Sequence, residues 1–242
     1  MSQTPAASNS TPASEKPKGP IRRFFGTWIG SFVLAILILT PVRSSIVDWY
    51  DVPSGSMEPS ILPGDRICAN KLAYGLRVPL TFTWVARWGH PEPGEIIIVH
   101  SPEEGGTRLV KRVIGKPGDT IEMKDNVLMI NGKVLETKPL TPEEQAGIEK
   151  TLIGDFSKET LNGREHLKML VPGASSPLRT FGPVKVPEGK YWVMGDNRDR
   201  SKDSRVWGYV DEKKVTGRSS VVAFSLTDYY VPRLSRFFKS IR

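Results

Sequence analysis

With 242 residues, 38% of them apolar and 25% charged, the chain can bury a substantial core and reads as mostly globular, one elaborated domain or two small ones. Its formal charge of +8 leaves nucleic acid, an anionic membrane surface and acidic ligands open as partners, so the placement of the basic residues has to decide. A single cysteine, Cys68, excludes an internal disulfide and a cysteine-based zinc site.

In chain order, residues 1–22 open with MSQTPAASNSTPASEKPKGP, which has almost nothing to bury and is expected to be a disordered cytoplasmic tail. A transmembrane helix is predicted over 23–42. FFGTWIGSFVLAILILTPV runs from Phe24 to Val42 without a charge. At about 1.5 Å per residue it covers roughly 28 Å, close to the roughly 30 Å core of a bilayer. A cleaved secretory signal has a shorter apolar core and a small-x-small exit. This run exits into TPVRSS, so it is read as an anchor. Lys16, Lys18, Arg22 and Arg23 outweigh Glu15 ahead of it. Positive flanks stay in the cytoplasm, which puts residues 43–242 outside it as an extracytoplasmic domain.

That domain carries short β signals: EIIIVH (95–100), RLVKRVI (108–114), NVLMINGKVL (126–135), KYWVMG (190–195) and SSVVAFSL (219–226). All are rich in β-branched and aromatic residues and bounded by Gly or Pro. Asn131-Gly132 between two apolar runs predicts a hairpin. Residues 136–184 are more polar and read as an insertion or cap on the β core. The closing stretch YYVPRLSRFFKSIR mixes aromatics with Arg233, Arg236, Lys239 and Arg242. It reads either as a solvated basic tail or as a segment resting on anionic lipid.

Three stretches bear on chemistry. In DVPSGSMEPSILPGDRI (51–67), Pro53 restricts Ser54 and Gly55 lets the backbone bend between Ser54 and Ser56. Taken alone this is a turn with capping serines. As a nucleophile, a serine needs a base within hydrogen-bond reach and donors for the oxyanion. His90, His100 and His166 stand in no recognisable arrangement with an acid and are read as surface or loop residues. A neutral lysine in a dry pocket can serve instead. In RLVKRVIGKPGD, Lys111 has Leu109 and Val113 as same-face neighbours and Arg112 has Val110 and Ile114, so periodicity does not choose between them. Arginine cannot be deprotonated, so a base here is Lys111. On its own, a lysine in a strand is more often an edge or snorkelling residue. The third stretch, GDNRDRSKDSRVWGYV (195–210), is a polar loop between two strands, dense in hydrogen-bonding side chains.

PSGSM with PGD following, then KR-x-IG-x-PGD, then GDNRD-x-S-x-DSR-x-WG, behind an N-terminal anchor, resemble the bacterial type I signal peptidase family, membrane-bound serine proteases that remove signal peptides from exported proteins. The resemblance covers about 60 residues in blocks. It implies a mostly β fold of antiparallel sheets with a barrel-like core, Ser56 as nucleophile and Lys111 as general base. It further implies an oxyanion hole from the Ser54 hydroxyl and the Ser56 N–H, and Ser201 bonded to Lys111. Asp203 and Arg205 would form a supporting ion pair, with Gly195 beside the site. It implies cleavage of preproteins after small residues of the Ala-x-Ala type, the peptide lying extended along a strand edge, and no metal or cofactor. Some Gram-negative members have two membrane helices and a disulfide; this sequence shows one helix and one cysteine.

Two rival readings stay open from sequence: a relative that matures one dedicated substrate, and a membrane-tethered β module that binds extended peptides by strand addition without catalysis. Self-cleaving repressors share the dyad but carry a DNA-binding head, and nothing here resembles a helix-turn-helix. A nucleic-acid partner conflicts with the expected location.

Overall fold

The computed structural model describes residues 26–103, 105–227 and 230–241; the expected tail and the start of the expected membrane helix lie outside them. The chain divides into two compact units, 1–40 and 41–242.

Helix α1, Trp28–Ser45, is apolar around its whole circumference, with Trp28, Phe32, Leu37 and Leu39 all exposed. A helix without a polar face and without a protein cover has the character of a membrane span. It overlaps the expected 23–42 but continues through Pro41 to Ser45. The helix ladder resumes beyond the proline, where the Ile46 N–H reaches the Val42 carbonyl at 2.9 Å.

The second unit is built on a seven-stranded antiparallel sheet. Its spatial order is Val47–Asp51, Asp65–Asn70, Val215–Ser225, Ile96–His100, Arg108–Gly115, Lys190–Met194, Val210–Asp211. The first and last strands are free edges, so the expected barrel-like core is a curled half-barrel that does not close. Curling follows from Val215–Ser225, which is 11 residues long and changes register against both neighbours; each bulge bends and twists the strand. Ile96 and Ile98 pack into one apolar cluster and Ile97 and Val99 into another on the opposite face. Burial on both faces is why this strand is a continuous apolar run rather than an alternating one.

A four-stranded sheet carries the predicted hairpin: Val127–Ile130 turns into Lys133–Val134 through Asn131 and Gly132, at φ 51° and 75°. Two positive φ values are what a type I′ turn requires and what Asn-Gly tolerates. Residues 136–184 form a three-stranded sheet of Thr137–Pro139, Asp155–Leu161 and Arg164–Leu170, with a short helix α2, Pro142–Ala146, capped by Thr141 and Glu144. The next strand, Phe181–Lys185, leaves that sheet and pairs with Thr120–Lys124.

Two sequence expectations need correction. The C-terminal stretch is not a solvated tail within 230–241: Arg236 is buried in an ion pair with Asp65, and Ser240 bridges to Val221. Its aromatics are split, because Phe237 packs on Phe224 while Tyr230 and Phe238 stay exposed. His166 is not a surface residue either. It lies on Arg164–Leu170, 3% exposed, with Nε2 3.4 Å from Glu159. Strand periodicity could not reveal this, since the acid that receives it is seven positions away on the neighbouring strand.

Candidate active site

Ser54 is extended, at φ −125° and ψ 152°, and leads into a single 3-10 turn, Gly55–Met57. Gly55 lets the Glu58 side chain fold close beneath it: a Cβ there would stand 2.6 Å from the Glu58 carboxyl carbon, which would have to move aside. The turn leaves Ser54 exposed and Ser56 half-buried, with their hydroxyls 3.5 Å apart, while Met57 is driven into the core.

Lys111 sits opposite Ile97 in the strand Arg108–Gly115 and is 3% exposed. Its Nζ is 2.6 Å from Ser56 Oγ. Burial pushes the amine down to about 8, against the upward pull of Asp203 and Asp196. Desolvation disfavours a charged ammonium, and neither carboxylate touches it closely enough to cancel that cost. The neighbouring Arg112 is also buried, and meets Asp196 in a two-point ion pair at 2.8 and 2.7 Å. Both faces of the strand are covered, which is why alternation could not tell which of the two points inward.

The polar loop closes the site. Asp203 accepts from Arg205 Nε and Nη2, both at 2.8 Å, and from the Gly195 N–H at 3.0 Å. Burial alone would raise this carboxyl, but Arg205 and the backbone donor outweigh it and hold it below the usual range. Gly195 lies against the nucleophile: a Cβ there would be 2.3 Å from the Ser56 carbonyl oxygen and 2.3 Å from Ser201 Oγ. The hydrogen bond expected from Ser201 to Lys111 is absent. Ser201 is buried against Gly195, and its hydroxyl acts on the Asp203 carboxylate, which it helps to hold low.

Sequence reasoning missed Asn197. It is fully buried, its Nδ2 donates to the Gly55 carbonyl and to Glu58, each at 3.1 Å, and its N–H donates to the Ser56 carbonyl at 3.2 Å. The density of hydrogen-bonding residues in GDNRD was the available signal. The Ser54–Glu58 turn is thus clamped from the loop side, while Lys111 approaches from the sheet. Among the described residues no group of three or more His, Cys, Asp or Glu could hold a metal ion.

An antiparallel β domain that holds a serine hydroxyl against a buried amine with a lowered pKa has the equipment of a serine peptidase. The profile of the family described as "Signal peptidase, peptidase S26" matches residues 25–224, and the chain belongs to that family. Signal peptidase I of Pseudomonas aeruginosa is 34% identical over 86% of this chain and 75% of its own length. Signal peptidase I of Bacillus licheniformis is 34% identical over 83% and 89%, and that of Rickettsia typhi 37% over 81% and 78%. A solved signal peptidase I from Enterococcus faecalis V583 is 32% identical, covers 54% of this chain and 97% of its own, and has a TM-score of 0.34.

Proposed function

We propose that this signal-peptide-removing peptidase works through a dyad of Ser56 and Lys111. The observation that carries the proposal is the 2.6 Å contact between Lys111 Nζ and Ser56 Oγ, made by an amine whose pKa is lowered to about 8. Neutral Lys111 takes the Ser56 proton as Oγ attacks the scissile carbonyl. The oxyanion forms against the Ser56 N–H and the Ser54 hydroxyl. Lys111, now an ammonium, gives its proton to the departing amine, and a water activated by the same lysine hydrolyses the ester. Asp203, Arg205 and Gly195 hold the framework. Ser201, buried beside Gly195, supports the lysine through Asp203, whose carboxylate it helps to hold low. Substrates are preproteins with small residues at the −1 and −3 positions, bound extended along a strand edge.

The enzyme is anchored in the cytoplasmic membrane by α1, with the domain from residue 43 on the outer side. A surface hairpin, Gly75–Arg77 with Trp84–Arg87, supports the lipid contact: Val78, Leu80, Phe82, Val85 and Trp88 are exposed along it. The Leu80 N–H donates to Ser44 Oγ at 2.6 Å, in the last turn of α1. Aliphatic tips flanked by tryptophan and arginine suit a bilayer interface.

The deciding experiment incubates the detergent-solubilised chain with a preprotein bearing an Ala-x-Ala site and sequences the new N-terminus. Cleavage after the second alanine is expected, and release at unrelated positions overturns the specificity. External protease on spheroplasts should digest the domain while sparing the first 20 residues.

A further inference from the structure

The loop that carries Asp196 to Asp203 is fastened from the inserted sheet as well as from the main one. Met169 and the loop exchange two backbone bonds, Met169 N–H to the Asp196 carbonyl at 2.9 Å and Arg198 N–H to the Met169 carbonyl at 3.0 Å. The side-chain link is Glu159, on the strand Asp155–Leu161. It is fully buried and receives both terminal nitrogens of Arg198, itself fully buried. Arg198 Nε in turn donates to the Gly195 carbonyl at 3.2 Å, and Gly195 is the residue packed against the Ser56 main chain. Lys168 Nζ at 2.8 Å and His166 Nε2 at 3.4 Å complete the surroundings of the Glu159 carboxylate.

We propose that Glu159 is a positioning residue for the catalytic pair, acting through Arg198 and Gly195, so that the inserted sheet sets the geometry and charge balance of the site. The proposal rests on the Ser56–Lys111 reading above. Two physical effects run through it. Glu159 fixes the Arg198 fork, and with it the Gly195 carbonyl and the seat of Ser56. It also occupies a cation that is otherwise drawn to Asp196 and Asp203, the two carboxylates that hold up the Lys111 amine. The other charged group acting on Lys111 is Arg205, already paired with Asp203. If Arg198 loses Glu159 and turns toward those carboxylates, their pull on Lys111 weakens and the amine falls further.

The test uses the full chain in detergent with the Ala-x-Ala preprotein, measuring kcat, KM, the alkaline rise of kcat/KM with pH, and the melting temperature. Glu159→Gln removes the charge and keeps the shape. It should lower kcat at least tenfold with KM within twofold, and move the pH midpoint to lower pH. Glu159→Asp keeps the charge one methylene short; it should lower kcat while leaving the midpoint in place. A folded Glu159→Gln with parental kcat and midpoint overturns the proposal. Should Glu159→Gln fail to fold, Glu159→Asp decides, and parental kcat in that variant overturns it. Ser56→Ala is run alongside. If it cleaves like the parent, the dyad reading fails, whereas an inactive Ser56→Ala beside fully active Glu159 variants defeats only the positioning role.

Discussion

Arg112 and Asp196 form a two-point ion pair, at 2.8 and 2.7 Å, with both side chains essentially inaccessible to water. This pair ties the strand of Lys111 to the loop behind Ser56, and its energetics are asymmetric. Removing one partner strands the other charge in the interior, at about 3 to 5 kcal/mol. Asp196→Asn should lower the unfolding free energy by that order, whereas Asp51→Asn, at the exposed Asp51–Arg66 pair, should cost less than about 1 kcal/mol. Equal effects in urea titrations would remove burial as the source of the difference.

In the proposed dyad Ser56 and Lys111 act on the same proton, so their losses should not be additive. Ser56→Ala and Lys111→Ala should each reduce preprotein cleavage to near background, and the double variant should be little worse. Cys68→Ser, with no assigned role, should cleave like the parent. Ser56→Ala retaining more than a few per cent of parental rate would disprove the dyad.

In the proposed oxyanion hole Ser54 contributes only as charge develops on the substrate oxygen. Loss of one such donor costs on the order of 10² to 10³ in kcat. Ser54→Ala should show that fall with KM little changed, and an undiminished kcat would return Ser54 to the role of turn residue.

Gly195 has no room for a side chain, since a Cβ would lie 2.3 Å from backbone at Ser56. The backbone cannot yield as a flexible side chain does, and overpacking of this kind costs about 1 to 3 kcal/mol. Gly195→Ala should lower the melting temperature and displace Ser56 enough to abolish most activity. A fully active Gly195→Ala would show that the loop moves freely.

As the proposed base, Lys111 would link catalysis to stability. Its folded pKa is about 8, lowered from 10.5 chiefly by burial, so the fold carries a penalty of about 3 kcal/mol at about 1.4 kcal/mol per unit. Below pH 8 the penalty is complete, because both folded and unfolded chains are protonated. Between the two pKa values the unfolded chain binds more protons, so stability rises with pH and the penalty fades. Lys111→Met should therefore be inactive yet more heat-stable than the parent at pH 6.5, with the advantage shrinking by pH 9.5. Parental kcat/KM should climb with a midpoint near 8. A methionine variant less stable at pH 6.5 would mean the amine is held charged, which rules it out as the base.

Much of this was legible in the residues. Asn131-Gly132 announced its hairpin through turn chemistry, and the Ile96–His100 strand announced itself through β-branching. Lys111 could be preferred to Arg112 because only one of them can lose a proton. What stayed hidden was set by tertiary cover. His166 reads as an ordinary polar residue until Asp155–Leu161 is laid beside it. Glu159 carries no local signal, because its partner Arg198 is 39 positions along the chain. The Ser201 expectation came from resemblance, and the packing of its hydroxyl against Gly195 is a matter of angstroms that no motif encodes.

The strand order has a consequence for biosynthesis. Ser56 lies just before Asp65–Asn70 and Lys111 follows Ile96–His100, and the strand that joins those two is Val215–Ser225, close to the end of the chain. A nascent polypeptide emerging N-terminus first holds both residues of the proposed dyad long before it holds the piece that brings them together. Such late, long-range pairing is slow to form. On the proposed dyad, Ser56 and Lys111 are therefore brought together only once Val215–Ser225 has joined the sheet.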